Sequence, residues 1–389
     1  MAHKAGMEVS MAVSEVVALT DTDVVAAYPI TPQTHIVEHL AELVANGELD
    51  AEFIPVESEH SAMSACLGSA AAGARTFTAT AGQGLELMHE VLYVASSMRL
   101  PIVMTVANRA LSAPLSVWGD HSDVMAVRDT GWIQIFTENG QEVIDNVICA
   151  FRIAEDRRVL LPVMVHLDGF NLSHMIEPLL FPEHGEVKDF LPPNNYPLPL
   201  DPRRPVAMGD FGPPVIYTEA KWAQEVNLQK SYDVILEVWQ KFADKFGRKY
   251  NPVETYHGDA RTLLYITGSF SETAMTAVDS MRKAGQDIGL VRLRLWRPFP
   301  FKEFRKAVKD AELLITVDRA ISFGGPPPIA SEIKAAIYNE PKKPKVVSFV
   351  GGLGGRDIHV DGFETIVQRG IEIARKGSQN EYEIFGVRE

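Results

Sequence analysis

A doubly wound, mainly parallel α/β sheet followed by a second, smaller α/β domain is the architecture predicted by this 389-residue sequence. Three observations lead there. β-Branched runs alternate with helical ones at the spacing of βαβ units. Those runs are apolar throughout, as strands covered on both faces are, where a half-exposed strand would alternate. Polar clusters follow several of them directly, and open α/β sheets bind their ligands beyond the carboxyl ends of the strands.

Taken in order, the segment VVAAYPI after Asp23 stops at two prolines and reads as a buried strand, a turn and a helix over roughly 32–45. Strand 52–56 leads to helix 59–73, strand 75–80 to helix 84–97, and strand 102–108 to a loop reaching about 120; helix 141–154 then precedes strand 160–167. Ten prolines between Pro178 and Pro214, with little periodicity, predict an extended crossing arm. A helix over about 217–246, closed by Gly247, bridges to a second unit: strand 262–267, helix 272–284, strand 288–295, helix 301–310, strand 312–317, helix 328–338 and strand 345–350. The expected division is 1–177, 178–258 and 259–389, with no internal repeat.

With 46% hydrophobic residues each unit can bury a core. Acidic side chains outnumber basic ones 51 to 37, and the formal charge of -14 opposes nucleic acid and anionic membranes as partners. Cys66 and Cys149 stand in apolar helical contexts without a C-x-x-C spacing. They read as small buried hydrophobes, and two thiols cannot ligate an iron–sulfur cluster or a cysteine zinc site. No apolar run of membrane-spanning length and no signal-type N-terminus is present, so a cytoplasmic location is expected.

Several routes to chemistry lack their motifs. Gly82-Gln83-Gly84 and Gly351–Gly355 follow strands, but Leu87 and Asp357 stand where G-x-G-x-x-G needs its last glycine. There is no P-loop, no G-x-S-x-G and no H-E-x-x-H. Asp120, His121 and Asp123 lie too close in sequence to converge readily on one ion and read as a polar loop capping the next helix. No metal ligand is assigned.

Three clusters remain, all at strand ends. In Tyr28-Pro29-Ile30-Thr31-Pro32 two prolines stiffen a turn that presents Thr31, which could equally cap a helix. Glu57-Ser58-Glu59-His60 delivers carboxylates into a helix of small residues, where an unpaired charge is costly to desolvate. Asn108-Arg109 ends an apolar strand with a guanidinium suited to a carboxylate of a ligand or of the protein itself.

Together with GARTFTATAGQGLELMHEVLY (73–93), RLPIVMTVANRALSAPLSVWGDHSD (99–123), RDTGWIQ (128–134), VLLPVMVHLDGF (159–170), FGRKY (246–250), RPFP (297–300) and FVGGLGGRD (349–357), these clusters closely resemble the alpha subunit of 2-oxoacid:ferredoxin oxidoreductases, most of all the multi-subunit pyruvate enzymes. The resemblance covers nearly the whole chain. It implies a pyrimidine-binding domain of the thiamine-diphosphate type, then a domain of transketolase C-terminal type. By the same likeness Glu59 hydrogen-bonds N1′ of the aminopyrimidine, favouring the imino tautomer whose 4′-nitrogen takes the thiazolium C2 proton. Periodicity does not separate Glu57 from Glu59; the motif match selects Glu59. The likeness further implies cofactor contacts at Tyr28, Pro29, Ile30, Thr80 and Gln83, and a substrate-carboxylate grip by Thr31 and Arg109. Tyr28 and the loop around Trp118 and His121 are expected to border the pocket. Relatives that act on oxalate carry a second arginine at the position of Thr31, so threonine there points to a monocarboxylate such as pyruvate.

Missing motifs complete the expectation. Thiamine enzymes hold magnesium and the diphosphate through G-D-G, which this sequence lacks: Phe211 follows Gly209-Asp210, and Ala260 follows Gly258-Asp259. The resemblance therefore implies a beta subunit supplying Mg2+, diphosphate contacts and a [4Fe–4S] cluster, gamma and delta subunits, ferredoxin and coenzyme A as further partners, a dimer of heteromers, and an anaerobic setting. The alternatives are a same-family enzyme for a branched-chain, aryl or oxalate substrate, and a non-catalytic scaffold of such a complex.

Overall fold

The computed structural model describes residues 3–388. Among them, seven strands form the first sheet, in the order Leu295–Arg297, Ile133–Phe136, Val163–Asp168, Ile102–Asn108, Thr76–Thr80, Val24–Ala27, Glu52–Pro55. All are parallel except the Leu295–Arg297 edge. Strand alternation divides the buried side chains between two layers: Ile102, Met104 and Val106 join Ala62, Met63 and Cys66 on one face, while Val103 and Ala107 join Val13, Val16 and Val147 on the other. The order reverses beside Val24–Ala27, whose chain successor lies on one side and Thr76–Thr80 on the other. Such a switch point opens a crevice at the carboxyl edge.

The second sheet runs Glu383–Ile384, Lys345–Val350, Leu313–Asp318, Thr262–Ile266, Ile288–Leu293, Val253–Tyr256, with only the last strand antiparallel. Its carboxyl edge abuts that of the first sheet: His121 N donates to Arg319 O at 2.7 Å and Gly355 N to Gly119 O at 2.9 Å. Among the described residues no helix is long and apolar enough to cross a membrane.

Several elements differ from expectation. The proline-rich arm opens with strand Ile176–Phe181, paired antiparallel with His3–Glu8, and a helix, His184–Phe190. The pattern was hard to read because Pro178 lies at a strand edge where no donor is needed. The helix expected over 84–97 is two helices, Gly82–Leu87 and His89–Ser97. The run 288–295 ends at Leu293, and Leu295–Arg297 crosses to edge the first sheet. Beyond Pro214 the long helix extends to Phe246; its apolar face (Leu228, Val234, Ile235, Val238, Trp239, Phe242) is confined to the C-terminal half.

Candidate active site

The strand Glu52–Pro55 delivers the chain to Ser58, whose hydroxyl caps the helix Glu59–Ala71 by accepting from Ser61 N at 3.2 Å. This turn separates the two acids that periodicity leaves equivalent. Glu57 is exposed and accepts from Ser61 Oγ at 2.6 Å, whereas Glu59 is 6% exposed. Among the described residues the Glu59 carboxylate accepts no hydrogen bond. The small-residue helix explains how it comes to be enclosed: Ala62, Met63 and Cys66 let the helix lie close to Val24–Ala27, with Cys66 Sγ 3.7 Å from Ala26 O. Burial pushes the Cys66 thiol up to about 12 and the Cys149 thiol up as well, which fits both as core residues.

Across from Glu59 stands the turn after Thr76–Thr80. A Cβ on Gly84 would lie 2.7 Å from Glu59 Oε1 and 2.5 Å from Thr80 Oγ1, so only glycine lets this turn come so close to both groups. The Thr80 hydroxyl is buried without a hydrogen-bond partner. A buried acceptor and an orphaned hydroxyl converging on a glycine cradle have the chemistry to receive a heterocycle with its own donors and acceptors.

Arg109, also 6% exposed, ends strand Ile102–Asn108 and runs over Gly82, where a Cβ would come within 2.5 Å of its Cγ and Nε. Its Nε donates to Gln83 Oε1 at 3.2 Å, its Nη2 to the same oxygen, and its Nη1 to Thr31 O at 2.5 Å. Burial draws its pKa down, opposed by the charges of Asp123 and Glu59. Thr31, Gln83, Arg109, Thr80 and Glu59 thus gather at the sheet's switch point. Tyr28, Pro29 and Thr31 are exposed, and Ile30 is half-buried.

Two residues that sequence patterns missed hold this arrangement. Gln33, fully buried, donates to Ala79 O at 2.5 Å and Tyr28 O at 3.3 Å, pinning the 28–33 turn to the neighbouring strand. Asp123, placed by sequence in a capping loop, is fully buried and bonds Gly82 N at 3.1 Å and Arg109 N at 3.0 Å. The nearest sequence signal was a polar side chain placed among strand ends that have no other partner.

His121 is 1% exposed and bonds Asp168 at 2.8 Å, while its backbone N–H reaches Arg319 O across the seam between the sheets. Trp118, half-exposed, packs on Phe170 with centroids 4.5 Å apart. Elsewhere, Glu8, His35 and His174 bring ligand-type atoms within 4.8 Å of one another. His35 Nδ1 already bonds Glu8 at 2.6 Å and His174 Nδ1 bonds Ser173 at 2.8 Å, so the group acts as a hydrogen-bonded clasp. A cavity of about 1000 Å3 between the helix Pro214–Phe246 and the Arg297–Glu303 turn contains none of the gathered residues.

Comparison with known proteins fits this geometry. Residues 15–240 match the family profile described as pyruvate flavodoxin/ferredoxin oxidoreductase, thiamine diP-bdg, and residues 260–363 match pyruvate:ferredoxin oxidoreductase core domain II. Pyruvate synthase subunit PorA of Methanocaldococcus jannaschii is 50% identical over 364 residues, covering 92% of each chain. The PorA of Thermotoga maritima is 45% identical over 384 residues (97% of this chain, 96% of that one). Ketoisovalerate oxidoreductase subunit VorA of Pyrococcus abyssi is 42% identical over 358 residues (91% and 90%). Among solved structures, the 2-oxoglutarate:ferredoxin oxidoreductase from Magnetococcus marinus superposes with a TM-score of 0.71 at 20% identity. There the fold is shared over 95% of this chain, which spans 65% of that longer one. The chain belongs to the pyruvate:ferredoxin oxidoreductase family, as an alpha subunit with a thiamine-diphosphate-binding domain.

Proposed function

We propose that this chain is the catalytic alpha subunit of a thiamine-diphosphate-dependent pyruvate:ferredoxin oxidoreductase, converting pyruvate, coenzyme A and two oxidised ferredoxins to acetyl-CoA, carbon dioxide, two reduced ferredoxins and a proton. The observation that carries this reading is the buried Glu59 carboxylate, without a hydrogen-bond partner among the described residues, facing the orphaned Thr80 hydroxyl across Gly84. These residues fit the aminopyrimidine. Glu59 would hold the proton shared with its N1′, and Thr80, the Gly82–Gly84 turn and the 28–30 turn would enclose the ring. Thiamine diphosphate, when bound, supplies the carbon nucleophile for the 2-oxo group and an electron sink for decarboxylation. Arg109, itself buried, receives the substrate carboxylate, and Thr31 adds no second charge. A substrate with a neutral tail follows.

Magnesium, the diphosphate contacts and the [4Fe–4S] clusters fall to partner subunits, because this sequence has two cysteines and no G-D-G. Relatives named as subunits of pyruvate synthase support a multi-subunit complex, and the matching family description supports ferredoxin as the acceptor; a cytoplasmic location belongs to the same proposal. The ketoisovalerate relative supports a second reading, a branched-chain 2-oxo acid, at lower identity. In the assembled complex, kcat/KM for pyruvate should exceed that for 3-methyl-2-oxobutanoate, and the reverse order would select the second reading. Arg109→Ala should raise KM for the 2-oxo acid about 10- to 100-fold, the loss expected for a charged hydrogen bond. An unchanged KM with lowered turnover would remove the carboxylate grip.

A further inference from the structure

Asp123 makes four hydrogen bonds, and every partner is an N–H donor. Its Oδ2 accepts from Gly82 N at 3.1 Å and Arg109 N at 3.0 Å; its Oδ1 accepts from Asn108 Nδ2 at 2.9 Å and Val124 N at 2.7 Å. Among the described residues no cation lies within ion-pair distance of it; the Arg109 charge acts on it from further away, and the contacts that hold the carboxylate are these four N–H groups. Two of the bonds reach loops from neighbouring strands, Thr76–Thr80 and Ile102–Asn108. The carboxylate is therefore a staple between the turn that faces Glu59 and the backbone that carries Arg109.

The path of the Arg109 side chain depends on that staple. It passes over Gly82, whose φ of +45° and missing Cβ leave just enough room. Once across, three of the five guanidinium N–H groups are spent on Gln83 Oε1 and Thr31 O. One N–H remains on each terminal nitrogen, which suits a carboxylate. A shift of the Gly82 turn relative to residue 109 would move the guanidinium or release it from Gln83.

We propose that Asp123 is the positioning residue of the substrate grip, fixing the Arg109 guanidinium by fastening the Arg109 backbone to the Gly82 turn. The inference rests on the reading of Arg109 as the carboxylate grip. It also explains the residue type: asparagine has the same shape, but its NH2 would face two N–H donors where the carboxylate offers acceptors.

The test uses Asp123→Asn in the assembled complex, with two readouts. One is the rate at which Arg109 is modified by phenylglyoxal without substrate, followed by peptide mass spectrometry. The other is KM and kcat for pyruvate, alone and combined with Arg109→Ala. Arg109 modification should quicken and KM should rise, each about tenfold, with kcat much less affected and no further KM rise in the Arg109→Ala background. Unchanged modification and KM would overturn the proposal, as would a KM increase equally large without Arg109. Faster modification with an unmoved KM would uphold Asp123 as the positioning residue and refute the carboxylate grip instead. Should Asp123→Asn fail to assemble, Asn108→Ala withdraws one donor of the four and should shift both readouts in the same sense by less.

Discussion

Asp168 and Glu59, both buried at the carboxyl edge of the first sheet, are treated in opposite ways. Asp168, 2% exposed, is saturated: His121 Nε2 at 2.8 Å on one oxygen, with Ser269 N at 2.8 Å, Ser269 Oγ at 2.5 Å and Arg319 at 2.6 Å on the other. Burial pushes its pKa up, but Arg319 and His121 outweigh it and hold the carboxyl well below the usual range. Glu59, 6% exposed, accepts nothing from the described residues. Asp168 joins two sheets and has no capacity left for a ligand. Glu59 faces a glycine-lined space with its lone pairs free. Similar burial therefore means different things: a satisfied buried acid is a joint, and an unsatisfied one is where a ligand is expected.

The sharpest way to break this contrast is to neutralise each acid in turn within the assembled complex. Glu59→Gln should lower pyruvate-dependent viologen reduction about 100-fold or more, the scale of a lost general acid–base group, with little change in thermal stability. Activity within a few-fold of wild type would end the role given to Glu59. Asp168→Asn should do the converse, destabilising by about 3–5 kcal/mol because Arg319 and His121 lose their buried counter-charge. If chemical denaturation shows no loss, the joint is not where the two sheets are held.

A pH experiment sharpens the joint side. Burial, then the charge of His121, pulls the neighbouring His166 from an ordinary 6.5 down to about 3. The unfolded chain takes up this proton near pH 6.5 and the folded one resists until about 3. Its contribution to stability is therefore full above pH 6.5 and is lost as pH falls from 6.5 toward 3. His166→Gln should flatten the stability profile in that window by up to ~1.4 kcal/mol per pH unit. An unaltered slope there would place the acid sensitivity in other groups. The smallest effect is expected at Ser58→Ala, which removes the cap of the Glu59 helix and should reduce stability by about 1 kcal/mol, read as a shift in unfolding midpoint. No shift would mean that the helix start is held by packing alone.

The parallel strands were legible because each is a short apolar run bounded by turn residues, a pattern that survives whatever surrounds it. Edge elements were not: the pairing of Leu295–Arg297 and of Ile176–Phe181 depends on chain segments distant in sequence. In the candidate site, Thr31, Glu59 and Arg109 could be named from motifs, since each stands directly after a strand. Gln33 and Asp123 escaped because their side chains serve backbone groups of other strands, contacts that leave no local pattern. The partners of His121 were hidden for the same reason, Asp168 being 47 positions away and Arg319 about 200.

By itself the sequence determined the alternation of strands and helices, the residue types at the strand ends and the family, all of which depend on neighbours in the chain. Which acid is buried, which hydroxyl is left without a partner, and which carboxylate is already saturated were decided only by the tertiary structure. The reason is physical: desolvation and hydrogen-bond saturation are properties of the space between elements, set by how closely small residues such as Gly84 let those elements approach.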